Sequence, residues 1–397
     1  MRSQKWYENV YRVFWNIFNA FIPRKYALER EIVDIEQTPY IVVSNHHTTQ
    51  DPILVGMGFK KHMYFVASDQ VMRDGIKGRM INFLAAPIPL VKSANEIQTV
   101  IAMLKKIKSN ANICIFAEGT VSPDGDTHEI KAAIGKLIKR SGASLVTYRL
   151  SGGYFTRPRW ARFIRKGKMT GKIVQVYSPE ELAGMSAVEI NEAISRDIYV
   201  NAYDDQAKNP IAYRGKKLAE CLETVLYCCP VCGHFSTLAS RNDRLFCTCG
   251  FHVRYTEYGY FEYPNPQNEK PPFTTILDWS KWQRNKLAEL AEKSLVMDKN
   301  SPIFTDSNQR LFLIKRANRG DLQGKGSLLM YNDRLAFATD SGKSFEFPLE
   351  TIIDMAIFAN SVLIFSTKDK LSYEVKSKQP LCALKYIEIF KLMRRSS

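Results

Sequence analysis

Two polar segments of the sequence each follow a short apolar run and carry side chains suited to proton transfer. Residues 44–51, Ser-Asn-His-His-Thr-Thr-Gln-Asp, come directly after the apolar run Tyr40–Val43. Histidine has a reference pKa of ~6.5, and a nearby carboxylate can orient its ring and stabilise its charged form. His46 and Asp51 are therefore candidates for a general base and the carboxylate that orients it. The alternative is an ordinary loop histidine beside an aspartate that caps a helix.

The second segment, residues 116–122, reads Phe-Ala-Glu-Gly-Thr-Val-Ser and ends another apolar run. Gly119 permits close approach of backbone to a ligand, Thr120 supplies a hydroxyl, and the peptide N–H groups of such a turn can bind an anion. An ordinary glycine-containing turn has the same composition. Polar residues at the carboxyl ends of strands lie where α/β folds place their ligands, so two such segments in one domain favour a functional site.

A third group of residues has the spacing of a metal site. Two short cysteine pairs, each followed by glycine, occur in Cys-Pro-Val-Cys-Gly and Cys-Thr-Cys-Gly; their members are Cys229, Cys232, Cys247 and Cys249. This pattern predicts a zinc ribbon, in which four thiolates hold structural Zn²⁺ and leave no open position for catalysis. Five of the eight cysteines lie within 22 residues, which favours metal in a reducing compartment over a disulfide scaffold. Four reduced buried cysteines are the alternative, with Cys228, His234 and His252 as possible substitute ligands.

The elements that must position these residues change character along the chain. Short apolar runs alternate with helical periodicity between residues 40 and 205, which predicts an α/β domain whose sheet is covered on both faces by helices. After the cysteines, a helical stretch and several short strand-like runs precede a final helix. We predict five segments: 1–28, an amphipathic interfacial helix; 29–206, the α/β domain; 207–265, a linker and zinc ribbon; 266–300, a helical linker; and 301–397, a β-rich domain that resembles pleckstrin-homology-like domains in its strands-then-helix order.

The charge of the chain indicates an anionic partner. The 56 Lys and Arg exceed the 40 Asp and Glu by 16, and residues 131–172 hold 12 basic and no acidic side chains. Such a block suits nucleic acid or an anionic membrane surface. No apolar run is long enough to cross a bilayer or to serve as a signal peptide. One helical face near the N-terminus is apolar and predicts a membrane-facing side, although it could equally pack on its own domain; it comprises Tyr7, Val10, Tyr11, Phe14, Phe18, Phe21 and Ile22.

The two polar segments together resemble the conserved boxes of the glycerolipid or lysophospholipid acyltransferases, the family typified by 1-acylglycerol-3-phosphate acyltransferase. His46 to Asp51 is similar to the family's His-x4-Asp box, and residues 116–122 are similar to its Phe-Pro-Glu-Gly-Thr-Arg-Ser box. Residues 78–92 and 145–154 resemble two further characteristic segments in the same order. The resemblance covers roughly residues 28–205.

This resemblance implies an α/β acyltransferase domain with a mixed sheet and flanking helices, followed by the zinc ribbon and the β-rich domain with its terminal helix. It implies that His46, oriented by Asp51, is the general base for attack of an acceptor hydroxyl on an acyl thioester, with acyl-CoA or acyl carrier protein as donor. Glu118, Gly119 and Thr120 would shape the acceptor site. His47 is the rival base, one residue too close to Asp51 for the box.

Two positions depart from the family pattern. Ala117 replaces the usual proline, and Val121 stands where the family has an arginine thought to hold the acceptor's phosphate. Because valine cannot bind phosphate, either another cation substitutes or the acceptor is not a phosphomonoester. The candidate cations are Lys92, Lys131, Arg149, Arg157 and Arg159.

The sequence therefore predicts a peripheral enzyme on the cytoplasmic side of a membrane. It would transfer a fatty acyl group to a lysophospholipid, with 1-acylglycerol-3-phosphate as the expected acceptor, in phospholipid biosynthesis. The alternatives are an acyltransferase for glycerol-3-phosphate or a lysophospholipid diester, and a non-catalytic protein that binds membranes or nucleic acid. Nucleic acid is the less expected partner, because the basic block follows the Glu118 segment directly.

Overall fold

Two units divide the chain in the computed structural model, which describes residues 2–68, 71–72, 75–90, 96–264, 270–314, 320–377 and 381–396. The N-terminal unit comprises Met1–Arg159 and Phe163–Gly215, and the C-terminal unit comprises Trp160–Arg162 and Lys216–Ser397. The His46 and Glu118 segments lie in the first unit, and the four cysteines lie in the second.

The N-terminal unit is built on one mixed sheet. Its strands are β1 Leu28–Arg30, β2 Tyr40–Ser44, β3 Met63–Ser68, β4 Ile88–Leu90, β5 Asn112–Phe116, β6 Ser144–Ser151 and β7 Met169–Tyr177. They lie in the order β1-β7-β6-β2-β5-β3-β4. The β6–β7 pair is antiparallel, and the other pairs are parallel. The prediction of an α/β domain with a mixed sheet is confirmed.

The central strand β2 shows why its sequence is apolar without interruption. Tyr40 and Val42 belong to the hydrophobic core on one face of the sheet, and Ile41 and Val43 belong to the core on the other. Because alternate side chains of a strand point to opposite faces, a strand covered on both sides must be apolar at every position.

The helices of this unit lie between and beside those strands. Their bounds are α1 Gln4–Phe18, α2 Ile22–Tyr26, α3 Asp51–Gly56, α4 Gly75–Leu84, α5 Glu96–Lys108, α6 Ala133–Ser141, α7 Gly153–Thr156, α8 Pro179–Gly184, α9 Ala187–Ile198 and α10 Ala202–Lys208. The amphipathic α6 buries Leu137 and Ile138 in one core, and left-handed Gly142 ends it. Among the described residues, no helix combines the length and hydrophobicity needed to span a membrane.

In the N-terminal helix α1, the apolar residues that are buried and those that are exposed differ from the prediction. Tyr7 is buried against Tyr64, and the Tyr11 hydroxyl donates to the carbonyls of Gly56 and Phe59. The predicted membrane-facing side was therefore wrong for these two residues, which pack on their own unit. The exposed apolar residues of α1 and of the turn after it are Val13, Phe14, Ile17, Phe18 and Phe21, of which Val13 and Ile17 lie outside the predicted face.

The C-terminal unit contains two antiparallel sheets. The smaller comprises β8 Leu238–Arg241, β9 Arg244–Cys247, β10 His252–Tyr255 and β11 Phe261–Glu262. The larger comprises β12 Phe304–Ile314, β13 Asp321–Met330, β14 Arg334–Thr339, β15 Ser344–Pro348, β16 Ile352–Phe358, β17 Val362–Thr367 and β18 Ser372–Ser377. Helix α11, Ile276–Ser294, joins the sheets, and helix α12, Ala383–Ser396, follows the last strand. This agrees with the predicted β-rich region and terminal helix.

Candidate active site

The His46 and Glu118 segments meet because their strands are neighbours. Strands β2 and β5 pair in parallel with Ser44 opposite Phe116, so both chains leave the sheet at the same edge. The backbone N–H of His46 donates to Glu118 Oε1 at 2.6 Å, and the N–H of Ser122 donates to the His46 carbonyl at 2.8 Å. The parallel register thus brings together two segments separated by about seventy residues in the sequence.

His46 and Asp51 form a hydrogen-bonded pair. His46 Nδ1 lies 2.9 Å from Asp51 Oδ2, and the same oxygen accepts the backbone N–H groups of His47 at 2.7 Å and Thr48 at 2.9 Å. Burial raises the pKa of Asp51 above its usual value, and these hydrogen bonds together with the His46 ring offset only part of that rise. A carboxylate that accepts the Nδ1 proton leaves Nε2 as the basic nitrogen of the imidazole. The ring is 16% exposed and stacks on Phe116, so it is oriented and still reached by solvent.

The Glu118 carboxylate connects two loops of the site by accepting a backbone hydrogen bond from each. Its Oε1 accepts from the N–H of His46, and its Oε2 accepts from the N–H of His128 at 2.9 Å. Burial raises the pKa of this carboxyl to about 7, and the two backbone donors partly offset the effect. Glu118 therefore holds the loop backbone that carries His46, rather than facing solvent as a second base.

His47, the rival base, lies in a different environment. Its side chain is buried, and neither ring nitrogen has a hydrogen-bond partner among the described residues. Burial lowers the pKa of His47 to about 3, with a further lowering from His46, so the ring is neutral. The Asp51 side chain faces His46, which makes His46 the better placed base.

The cations predicted as candidates for binding the acceptor's phosphate have different surroundings. Arg159 Nη1 donates to Thr120 Oγ1 at 3.1 Å and lies 3.5 Å from the Val121 carbonyl. The Lys131 side chain packs over Gly119, 3.4 Å from where a Cβ would stand. Among the described candidates, these two lie against the Glu118–Thr120 segment.

The other cations have different neighbours. Arg149 Nε donates to the Asp197 carbonyl at 2.7 Å, at the end of α9. Burial raises the pKa of Tyr26, and the nearby Arg157 offsets part of that rise. Lys92 lies outside the described residues. Arg149 and Arg157 thus have neighbours in other elements of the described chain, and their role in binding the acceptor's phosphate stays a prediction.

Two residues near the site were not predicted from the sequence as site residues. The Asn45 side chain exchanges hydrogen bonds with the backbone of Leu150, donating to its carbonyl at 2.8 Å and accepting its N–H at 2.9 Å. The backbone N–H of His128 donates to Glu118 Oε2, and His128 Nε2 lies 3.5 Å from Asp124 Oδ1. The adjacency of Asn45 to His46 was a usable signal for the first. Nothing in the spacing indicated the second, because only folding of the 118–128 loop brings His128 back.

The four predicted metal-ligating cysteines form one cluster in the C-terminal unit. The sulfur atoms of Cys229, Cys232, Cys247 and Cys249 all lie within 4.8 Å of one another, so together they could hold a metal ion. Cys228, the adjacent cysteine, is not a member of the cluster and belongs to the hydrophobic core. The predicted substitute ligands His234 and His252 are not members of the cluster.

Part of the N-terminal unit matches a known family model. Residues 24–151 match the family model described as Acyltransferase, a range that contains His46, Asp51 and Glu118. Among solved structures, the 1-acyl-sn-glycerophosphate (LPA) acyltransferase PlsC from Thermotoga maritima is similar, with a TM-score of 0.40 and 20% identity over 53% of this chain and 84% of that one. No curated protein sequence matches the chain.

Proposed function

We propose, from the premise that residues 24–151 are an acyltransferase segment, that this chain transfers a fatty acyl group from a thioester to the hydroxyl of a lysophospholipid. The observation that carries the proposal is the His46–Asp51 pair, which lies within the matched segment and leaves one imidazole nitrogen free of the carboxylate. The expected acceptor is 1-acylglycerol-3-phosphate, and the expected donor is acyl-CoA or acyl carrier protein.

The transfer needs no protein nucleophile. The acceptor hydroxyl oxygen attacks the thioester carbonyl carbon while its proton passes to His46 Nε2, and Asp51 stabilises the imidazolium that forms. The tetrahedral intermediate then collapses, the carbon–sulfur bond breaks, and the imidazolium returns the proton to the thiolate. The products are the ester and the free thiol, and His46 is neutral again. Buried Glu118 contributes by holding the loop backbone.

Arg159 is our candidate for the cation that binds the acceptor's phosphate. The residue at position 121 is a buried valine. The Arg159 guanidinium nevertheless lies within hydrogen-bond distance of the Thr120 hydroxyl and the Val121 carbonyl. Burial lowers the pKa of Arg159 to about 10, which still leaves it charged at neutral pH. An arginine supplied from after α7 supports a phosphomonoester acceptor despite Val121.

We further propose that the enzyme acts as a peripheral protein on the cytoplasmic leaflet. Val13, Ile17 and Phe21 expose 55%, 53% and 64% of their surface, and Arg24 and Lys25 are exposed just beyond them. Apolar side chains flanked by cations suit the interface of an anionic membrane, where the lysophospholipid resides.

The test is an acyl-transfer assay with labelled acyl-CoA and acyl carrier protein against a panel of acceptors. The panel holds 1-acylglycerol-3-phosphate, glycerol-3-phosphate and a lysophospholipid diester. His46→Ala should lower transfer by about 10²- to 10⁴-fold, the usual contribution of a general base. His252→Ala, at an exposed histidine of the C-terminal unit, is the matched control and should leave transfer unchanged.

Each outcome of this assay bears on one statement. Transfer that survives loss of His46 would refute the mechanism, and a preference for the diester would refute the phosphomonoester acceptor. No transfer to any acceptor would favour a protein that binds membranes without catalysis.

A further inference from the structure

The four clustered cysteines have the dimensions of a filled metal site. Cys229 Sγ lies 3.8 Å from Cys249 Sγ, and Cys232 Sγ lies 3.8 Å from Cys247 Sγ. A tetrahedral zinc ion with Zn–S bonds of about 2.3 Å separates its sulfur ligands by about 3.8 Å. We infer that these cysteines hold one Zn²⁺ and that this ion is part of the folded core of the C-terminal unit, not of a separable ribbon.

The backbone around the cysteines is shaped to point two thiolates inward from each turn. The N–H of Gly233 donates to the Cys229 carbonyl at 3.0 Å, and the N–H of Gly250 donates to the Cys247 carbonyl at 3.1 Å. Both glycines have positive φ, 71° and 94°, which other residues rarely adopt. In each turn a glycine N–H thus closes back on the carbonyl of the first cysteine, over four residues in the first turn and three in the second.

The surroundings of the sulfurs also suit metal-bound thiolates. The Thr237 hydroxyl lies 3.2 Å from Cys247 Sγ, where it can donate to a thiolate and orient it. The 3.8 Å separations are far beyond a disulfide bond of about 2.05 Å, so the pairs are not oxidised to one another. A set of four sulfur ligands in a tetrahedron favours zinc or iron.

The first knuckle continues directly into the hydrophobic core. Tyr227 and Cys228, which precede Cys229, are core members of the C-terminal unit. Helix α11 holds this segment by two side chains: Trp279 Nε1 donates to the Cys228 carbonyl at 2.9 Å, and Gln283 accepts the N–H of Tyr227 at 2.9 Å and donates to the Val225 carbonyl at 2.8 Å. A displacement of Cys229 would therefore disturb residues packed under α11.

The terminal helix α12 is joined to the same region. Lys385, which is fully buried, pairs with Asp306 of β12 at 2.6 Å and donates to the hydroxyl of Ser236, between the two knuckles. The Tyr227 hydroxyl donates to Glu388 of the same helix. One buried ammonium thus links the ribbon, the large sheet and the terminal helix. Breaking such a partnered buried charge is costly, which makes the three elements cooperative.

The metal itself is tested on the full-length chain purified without chelator. Metal analysis should find one zinc per chain, and replacement by Co²⁺ should give the thiolate charge-transfer and tetrahedral visible absorption bands. Cys249→Ser removes an exposed ligand and should abolish stoichiometric zinc, whereas exposed Thr248→Ser, the matched control, should retain it. Less than stoichiometric metal in the wild type, or iron in place of zinc, would overturn the assignment.

The coupling is tested by hydrogen–deuterium exchange of the wild type before and after zinc is removed with a mercurial reagent and a chelator, which does not depend on a variant folding. Peptides from α11, β12 and α12 should lose protection together with residues 225–255. If only residues 229–255 lose protection from exchange, the shared core is refuted, whereas the assignment of zinc to the four cysteines still stands. Acyl transfer by the N-terminal unit is a separate readout, so this result and that of the proposed function can fail independently.

Discussion

Replacement of Asp51 by asparagine separates charge from orientation in the candidate dyad. One oxygen, Oδ2, accepts from His46 Nδ1 and from the N–H groups of His47 and Thr48, whereas Oδ1 has no hydrogen-bond partner among the described residues. An asparagine can therefore place its carbonyl oxygen at the Oδ2 position and its amide nitrogen at the Oδ1 position. The three hydrogen bonds and the His46 tautomer would be kept, the negative charge would be lost, and the amide N–H groups would occupy the buried position where Oδ1 has no partner.

The magnitude follows from the difference between charged and neutral hydrogen bonds. A bond to a charged group contributes about 1.5–3 kcal/mol and a neutral one about 0.5–1.5 kcal/mol, so the imidazolium loses about 1–2 kcal/mol of stabilisation. At 1.36 kcal/mol per tenfold in rate, Asp51→Asn should lower kcat about 5- to 30-fold. Asp51→Ala removes orientation as well and should approach the loss of about 10²- to 10⁴-fold expected for the base itself.

The assay is steady-state acyl transfer with the acceptor that the panel identifies, measured for both variants and for Asp34→Asn. Asp34 is an exposed carboxylate of the same unit, 3.6 Å from Lys60, and controls for loss of one negative charge. A thermal melt confirms that each variant is folded. An Asp51→Asn enzyme as active as the wild type would refute a role for the charge. A folded Asp51→Asn enzyme as inactive as Asp51→Ala would refute the argument that the tautomer is retained.

Three further predictions concern stability, the acceptor and the membrane. Burial raises the pKa of Glu118 from 4.5 to about 7, so the folded chain keeps a proton that the unfolded chain releases, and stability falls as pH rises across this window. In urea titrations, the free energy of unfolding of Glu118→Gln relative to that of the wild type should rise by up to ~3 kcal/mol from pH 4.5 to pH 7. A difference between the two proteins that does not change with pH would contradict this. Arg159→Ala should raise KM for a phosphomonoester acceptor about 10-fold or more, while Lys172→Ala, on an exposed cation of β7, should not; equal KM values would exclude Arg159 as the phosphate ligand. Ile17→Ser with Phe18→Ser should weaken cosedimentation with anionic vesicles about 10- to 100-fold, whereas Val188→Ser, at a residue 65% exposed on α9, should not, and undiminished binding would remove α1 from the membrane contact.

Residue types and spacing were enough to locate the two polar segments of the site, but not to choose among its candidate cations. The two polar segments could be recognised because each ends a buried strand, and ends of neighbouring parallel strands converge. The choice among the candidate cations was beyond the sequence. Arg149 and Arg159 are the same residue type within one basic block, yet one donates to the end of α9 and the other to Thr120.

The sequence by itself determined the α/β class, the His46–Asp51 pair, the Glu118 segment and the four-cysteine pattern. Each of these depends on local periodicity or on short spacing, which the chain carries without its tertiary contacts. The tertiary structure decided which apolar side of α1 is covered, that Glu118 binds the backbone of His46 and His128, and that the cysteine knuckle joins the core below α11. These outcomes depend on contacts between residues far apart in the chain, where burial and hydrogen-bond partners are set by packing and leave no local pattern.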